Sequence, residues 1–128
     1  MTAGDRLGGD LGSLLAAADL SAATSQYLIV KQTSATQFNI TTAATDKPLG
    51  ILQNRPASGQ TGEIRVLSGS TSKCVAGAAV AAGVEVMSDG SGRAITATTT
   101  NEVVGLALSA AANANELIEV LIRPYHKV

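Results

Sequence analysis

The sequence predicts a small all-β domain, either a β-barrel or a β-sandwich of short antiparallel strands, with a two-fold internal repeat. Two observations predict it. Short apolar or alternating runs recur at regular spacing along the chain, separated by turn residues. One pattern also occurs twice, because Ile40 precedes Gly50 by ten residues and Ile95 precedes Gly105 by ten residues. With a one-residue gap, residues 63–67 also match residues 117–121, and residues 28–30 lie about where residues 84–86 lie. Two copies of one strand-rich unit indicate paired halves.

The first 23 residues differ from the rest and are predicted to form an N-terminal arm ahead of a β domain of residues 24–128. Four glycines lie within residues 1–12, which is typical of a flexible segment. Residues 13–23 contain enough Leu and Ala for about two turns of weak helix, which would need a surface to pack on. Two interpretations stay open: a frayed terminus, or an arm that orders on a partner.

The predicted strands follow in order. In the first half they are residues 27–30, 37–41, 51–52 and 62–67, with a turn at 48–50 and a loop at 55–60. In the second half they are residues 74–76, 84–87, 93–96, 103–108 and 117–122, with loop and short strand at 76–83. Residues 88–92 give the clearest hairpin turn. Gly105 permits a bulge or a close backbone approach within its strand.

The composition indicates a thin core and little charge. Ala, Gly, Ser and Thr make up 59 of the 128 residues, and the aromatic residues are two Tyr and one Phe. Such a core gives modest stability to an isolated monomer, which favours oligomerisation or docking. The formal net charge is −1 without a basic stripe, so nucleic-acid binding is not expected. With no long apolar stretch and no signal-peptide pattern, we expect synthesis in the cytoplasm and no membrane insertion.

No catalytic constellation is visible, so an enzyme is not predicted. His126, the one histidine, lies two residues from the C-terminus, and the acidic residues are scattered without metal-ligand spacing. Residues 89–92 fit a hairpin turn better than a calcium loop, and Cys74 fits a buried small residue. Asp46-Lys47 near a turn resembles the site of the modified lysine in biotinyl and lipoyl carrier domains, but Pro48 follows the lysine directly and the flanking residues differ. No cofactor is predicted.

The second half resembles bacteriophage head decoration, or capsid cement, proteins. The resemblance rests on residues 75–86 (VAGAAVAAGVEV), 89–94 (DGSGRA), 102–108 (EVVGLAL) and 116–122 (ELIEVLI). It covers about half of the chain, and the first half matches only through the internal repeat. A phage tail or baseplate component, a carrier domain and a small β binding module are the alternatives.

The resemblance implies a structural virion protein that binds the capsid exterior and bridges neighbouring major capsid proteins, often as a trimer. Under that hypothesis the N-terminal arm would supply a main contact, with three leucines as apolar anchors. Aromatic residues are enriched at interface centres, so the two tyrosines are further candidates. The predicted interface residues are therefore Leu14, Leu15, Leu20, Tyr27 and Tyr125.

Overall fold

The computed structural model describes residues 10–128, which form eleven strands and one short 3-10 helix. In the first half the strands are β1 (Asp10–Leu11), β2 (Leu15–Ala16), β3 (Ile29–Gln32), β4 (Gln37–Ile40), β5 (Gly50–Leu52) and β6 (Ile64–Arg65). In the second half they are β7 (Thr71–Val75), β8 (Glu85–Ser88), β9 (Ala94–Thr96), β10 (Glu102–Ala107) and β11 (Leu117–His126). The 3-10 helix is Ala23–Ser25. The all-β prediction is confirmed.

Each half of the chain forms its own sheet, and the sheets do not close into a barrel. The first sheet has the order β1-β6-β5-β3-β4-β2, and the second has the order β7-β11-β10-β8-β9. Neighbouring strands are antiparallel except for β2 and β4, which are parallel. The structure therefore has two separate sheets in place of a closed barrel.

The internal repeat is confirmed by the strand order. Strands β1, β6, β5, β3 and β4 correspond in order to β7, β11, β10, β8 and β9. Even β2 has a counterpart, because Ala76 forms a parallel bridge with Ala94 as Ala16 does with Phe38. The duplicated unit thus includes the pairing pattern of every strand in the first half.

The register corrects part of the sequence alignment. Val30 pairs with Gly50 and Val86 pairs with Gly105, so the two glycines correspond as predicted. However, Val30 also pairs with Ile40, whereas Val86 pairs with Thr96, so the counterpart of Ile40 is not Ile95. Likewise, residues 63–67 correspond to residues 119–123, which is two residues later than the predicted 117–121. The loops that connect the strands differ in length between the two halves, and this shifts the alignment. The shift is hard to detect in the sequence, because alternating residues along a strand look similar in several registers.

The predicted helix at residues 13–23 is wrong. This part of the chain pairs with the first sheet instead: the main-chain nitrogen of Leu15 donates to the oxygen of Thr36, and that of Ala17 donates to Phe38. Helix propensity over so few residues is worth little, and sheet hydrogen bonds outweigh it. The predicted arm thus contains β1 and β2, and residues 1–9 lie outside the described part of the chain.

Each half has a hydrophobic cluster made from equivalent positions. The first cluster contains Leu14, Ala16, Leu20, Val30, Phe38, Leu52 and Ile64. Their counterparts in the second half all belong to the second cluster and are Cys74, Ala76, Val80, Val86, Ala94, Ala107 and Val120. Every counterpart is the same size or smaller. The second half fills its interior from other positions, because Ile118 is buried where the first half has Gly62.

The two halves are joined along a seam where the first sheet packs against the second half. Ile29 and Ile51 come from the first sheet, are fully buried and belong to the second cluster. The main-chain nitrogen of Ile29 donates to the oxygen of Gly92 over 2.7 Å. A buried pair of hydroxyls, Thr41 Oγ1 and Ser88 Oγ, joins the halves at 2.5 Å. The seam makes the two sheets one packed unit.

Candidate interaction site

The predicted interface residues lie in different environments. Leu14 and Leu20 are 5% and 4% exposed and pack in the first cluster. Leu15 lies between them on the opposite face of β2 and is 37% exposed, because side chains alternate along a strand. Tyr27 is half-buried at the seam, and Tyr125 is 42% exposed on β11. Of the five predicted residues, Leu15, Tyr27 and Tyr125 offer apolar surface to a partner, and their contacts stay a prediction.

A cleft of about 620 Å³ opens at the seam between the two halves. Its first wall comes from the segment that includes the 3-10 helix and the approach to β3, and its second wall comes from β7, β11 and two turns. Most of the lining is apolar. The lining residues are Ala23, Thr24, Gln26, Tyr27, Leu28, Val75, Ser91, Arg93, Asn115 and Leu117.

Two residues of this cleft, Tyr27 and Asn115, have positive φ angles of 68° and 71°. Such angles are costly for a residue with a side chain, and most of all for a bulky one. The other half of the repeat has a glycine at the position of Tyr27. Tyr27 donates its main-chain N–H to Leu52 as Gly83 does to Ala107, so the counterpart of Tyr27 is a glycine with a φ of 87°.

The same relation holds for Asn115. Its main-chain nitrogen donates to the oxygen of Ala76, and Gly59 donates to the equivalent Ala16 with a φ of 80°. In both cases the chain carries a side chain at a position where the sister half has glycine, and both side chains line the seam cleft. Asn adopts this conformation readily, so the strain in the cleft lies at Tyr27. Strained residues are found at functional sites, so the placement of Tyr27 marks the cleft as a candidate site. No sequence signal could have found it, because the register was needed first.

The polar groups of the cleft are held in place by their neighbours. Arg93 Nε donates to Asp89 Oδ2 over 3.0 Å, and an Arg93 terminal nitrogen donates to Asn115 Oδ1 over 3.1 Å. On the other side of Tyr27, Lys73 Nζ lies 5.9 Å from the ring centroid. The cleft therefore combines an apolar wall with an ordered guanidinium, which suits a side chain or extended segment of another protein.

Tyr125 lies in a second ordered group on β11. Its hydroxyl donates to Glu85, which also accepts from Lys127 Nζ over 2.6 Å. The hydrogen bond from Lys127, together with that from Tyr125, lowers the pKa of the Glu85 carboxyl. The charged carboxylate in turn raises the pKa of the Tyr125 phenol. These bonds fix an exposed aromatic ring on the surface of the second sheet.

The chemical groups in question among residues 10–128 are metal-ligand clusters and the single cysteine. Within residues 10–128 no three His, Cys, Asp or Glu side chains lie close enough to share a metal ion. Cys74 is buried, and burial raises the pKa of its thiol to about 12. Asp89 accepts from the main-chain nitrogens of Ser91 and Arg93, as expected of a hairpin turn. No helix in the described part of the chain has the length and apolar character needed to cross a membrane.

Comparisons with known proteins agree with the fold and with the resemblance of the second half. The chain is similar in structure to the head fiber gp8.5 N base of bacteriophage phi29, with a TM-score of 0.66 and 15% identity over 89% of this chain and 92% of that chain. A search of curated proteins finds no match. The family model described as phage cement protein matches residues 21–123, which include both halves of the repeat. The chain therefore belongs to the phage cement protein family, a family of phage structural proteins.

Proposed function

We propose that this protein binds the outer surface of a phage capsid and stabilises it by bridging neighbouring major capsid proteins, as a homo-oligomer, with a trimer favoured. The observation that carries the proposal is the cement family match over residues 21–123. The structural relative whose fold this chain shares is a component of a phage head fiber, which supports a position on the head rather than the tail.

The geometry supports a binding role rather than a chemical one. The seam cleft is shaped by two rigid sheets, and its strained Tyr27 is held from both sides by main-chain hydrogen bonds to Leu52 and Val75. A preorganised aromatic ring loses little entropy on binding, which favours affinity. We propose that a segment of the major capsid protein enters this cleft. Because many copies would act on one shell, each contact needs only modest affinity.

The N-terminal segment is the second proposed contact. The strands of the predicted arm, β1 and β2, belong to the first sheet, so a truncation that removes residues 10–16 would disturb the fold. Residues 1–9 precede β1 and can be deleted without removing any strand of the described chain. Of the three leucines predicted as anchors, Leu15 on β2 is the one whose side chain is exposed, so it is the one available to contact a partner.

The test is sedimentation of the protein with purified virus particles from its source, with the copy number measured by quantitative mass spectrometry. A copy number comparable to that of the main shell protein supports the proposal. A few copies per particle would place the protein in the tail or baseplate, and recovery only in the soluble fraction would refute a virion role. Deletion of residues 1–9 is then compared with the full chain for binding to shells that lack the protein.

A further inference from the structure

The outer face of the second sheet carries four leucines, which we call the leucine face: Leu106, Leu108, Leu117 and Leu121. Leu106 lies directly opposite Leu121 across β10 and β11. Leu108 and Leu117 are 47% and 50% exposed, and the other two are half-buried. Four leucines on one solvent-facing surface form an apolar patch, and exposed apolar patches mark interaction sites.

The first half shows what the repeat carries at these positions. Arg65 pairs with Ile51 as Leu121 pairs with Leu106, so the counterpart of Leu121 is an arginine. Gln53 donates its main-chain N–H to Glu63 as Leu108 does to Glu119, so the counterpart of Leu108 is a glutamine.

The counterpart of Leu117 is a threonine. Ala16 donates its main-chain N–H to Gln60 as Ala76 does to Glu116, and the next residue is Thr61 in the first half and Leu117 in the second. Three positions that are polar in one half are thus leucine in the other, while the backbone pairing is the same. The difference lies in the surface and not in the fold.

The same face is already an interface in the first half. Ile29 and Ile51 occupy it there, and both are fully buried against the second half. Their counterparts in the second half are Glu85 and Leu106, which face outward. In the first half this face is therefore packed against the rest of the chain. In the second half the equivalent face is exposed to solvent in the single chain.

The occupant that the observations favour is a second copy of this chain. In the first half this face already packs against the same chain, through the fully buried Ile29 and Ile51. A half with an apolar exterior gains most from a partner that is present as soon as the chain folds. Its own copy meets that condition, whereas a capsid is present only after assembly.

The charges around the face are compatible with self-association. Glu119 stands opposite Lys73 in the register of β11 and β7, and Glu85 accepts from Lys127. Both signs therefore occur on one surface, and two copies can meet without placing like charges opposite each other. A face of one sign would repel its own copy.

We propose that the leucine face is the surface through which copies of this protein associate. The inference rests on the self-association that is part of the proposed function, but it does not depend on capsid binding. Its test uses a variant that gives the second half the surface residues of the first: Leu108→Gln, Leu117→Thr and Leu121→Arg together. Because the equivalent strands of the first half carry these residues, the substitutions suit the backbone.

The full chain and the triple variant are compared by size-exclusion chromatography with light scattering. The wild type is expected at a multiple of the 12.8 kDa chain mass and the triple variant at that mass, with an unchanged circular dichroism spectrum. The control, Leu15→Thr, changes an exposed leucine of the first sheet and is expected to keep the wild-type mass. If the triple variant does not fold, Leu108→Gln alone is expected to weaken association about tenfold.

Three results would overturn the inference: a monomeric wild type, a triple variant that keeps the oligomeric mass, or an equal loss of mass in the Leu15→Thr control. Binding of each protein to shells is measured separately by sedimentation. Because Leu117 also lines the seam cleft, shell binding is tested with Leu108→Gln and Leu121→Arg alone. A monomeric wild type that still binds shells, and loses that binding in this double variant, would assign the leucine face to the capsid. Self-association through this face without any shell binding would instead leave the inference standing and refute the proposed function.

Discussion

Gly50 and Gly105 occupy equivalent positions in the two sheets, and each lies against the main-chain oxygen of the neighbouring strand. A Cβ atom at Gly50 would overlap the oxygen of Arg65, and one at Gly105 would overlap that of Leu121. Arg65 and Leu121 are themselves counterparts in the repeat. The close approach between these strands therefore belongs to the duplicated unit, and it requires glycine in both halves.

Replacing Gly105 with alanine is expected to lower the free energy of unfolding by about 1–3 kcal/mol, because main chain on both strands must shift to admit the methyl group. Urea denaturation followed by circular dichroism measures the change. Gly90→Ala is the matched control: a Cβ there meets its nearest neighbour, the oxygen of Thr42, at an ordinary 3.7 Å. Equal midpoints for the two variants would contradict the close-approach argument.

The sequence revealed the elements and the repeat more readily than the register. The two glycines could be matched because a geometric requirement keeps the residue type fixed. Ile40 and Ile95 could not be matched reliably, because strand neighbours such as Ile95 and Thr96 are both acceptable on a half-exposed sheet. Once loops differ in length, only the pairing partners decide which residue corresponds to Ile40, and these are known from the structure alone.

The candidate site was predictable only in part for a similar reason. Tyr27 could be chosen as a scarce aromatic residue, but its positive φ depends on main-chain bonds to distant strands. Leu14 and Leu15 look alike in sequence, yet the pairing of β2 with β4 buries one and exposes the other. The leucine face could not be predicted from the sequence. It is recognised by comparing each leucine with its counterpart in the first half, such as Arg65, and the counterparts are known only from the strand register.

The Cys74 thiol is expected to be unreactive in the folded protein. Burial raises its pKa to about 12, so at pH 8 the thiolate fraction is roughly a thousandfold smaller than for an ordinary cysteine. Reaction with a disulfide reagent, followed by absorbance, should be very slow in buffer and rapid in concentrated urea. A fast reaction of the native chain at pH 8 would show that the second cluster opens readily or that the thiol is not buried.

Stability is expected to depend on pH through Asp46. The hydrogen bond from Lys31 Nζ, at 2.9 Å, is the main cause that lowers the pKa of this carboxyl, and the N–H of Thr42 adds to it. Since the folded pKa lies below the ordinary 3.8, the stabilisation is complete above that pH and is lost as the pH falls through the folded value. Asp46→Asn should therefore be less stable than the wild type at pH 7.

The difference between the two proteins should shrink as the pH falls below about 4, because the wild-type carboxyl then takes up a proton and no longer differs in charge from the amide. Urea denaturation at pH 7, 4 and 3 measures it. A difference that stays constant over this range would mean that Asp46 acts through its hydrogen-bond geometry and not through its charge.

Tyr27→Gly is expected to separate binding from folding. The substitution gives this position the residue that its counterpart, Gly83, already has, and removes the cost of a positive φ, about 1–2 kcal/mol, which offsets part of the lost ring burial. The fold should therefore persist, as judged by circular dichroism and a cooperative urea transition.

If the seam cleft binds the capsid through this ring, Tyr27→Gly should reduce the apparent affinity for shells by about tenfold or more, as expected for a central aromatic contact. Tyr27→Phe keeps the ring and should bind nearly as well as the wild type. The measurement is the amount of each protein that sediments with shells over a range of concentrations. A folded Tyr27→Gly variant that binds as tightly as the wild type would show that the Tyr27 ring does not contribute to capsid binding.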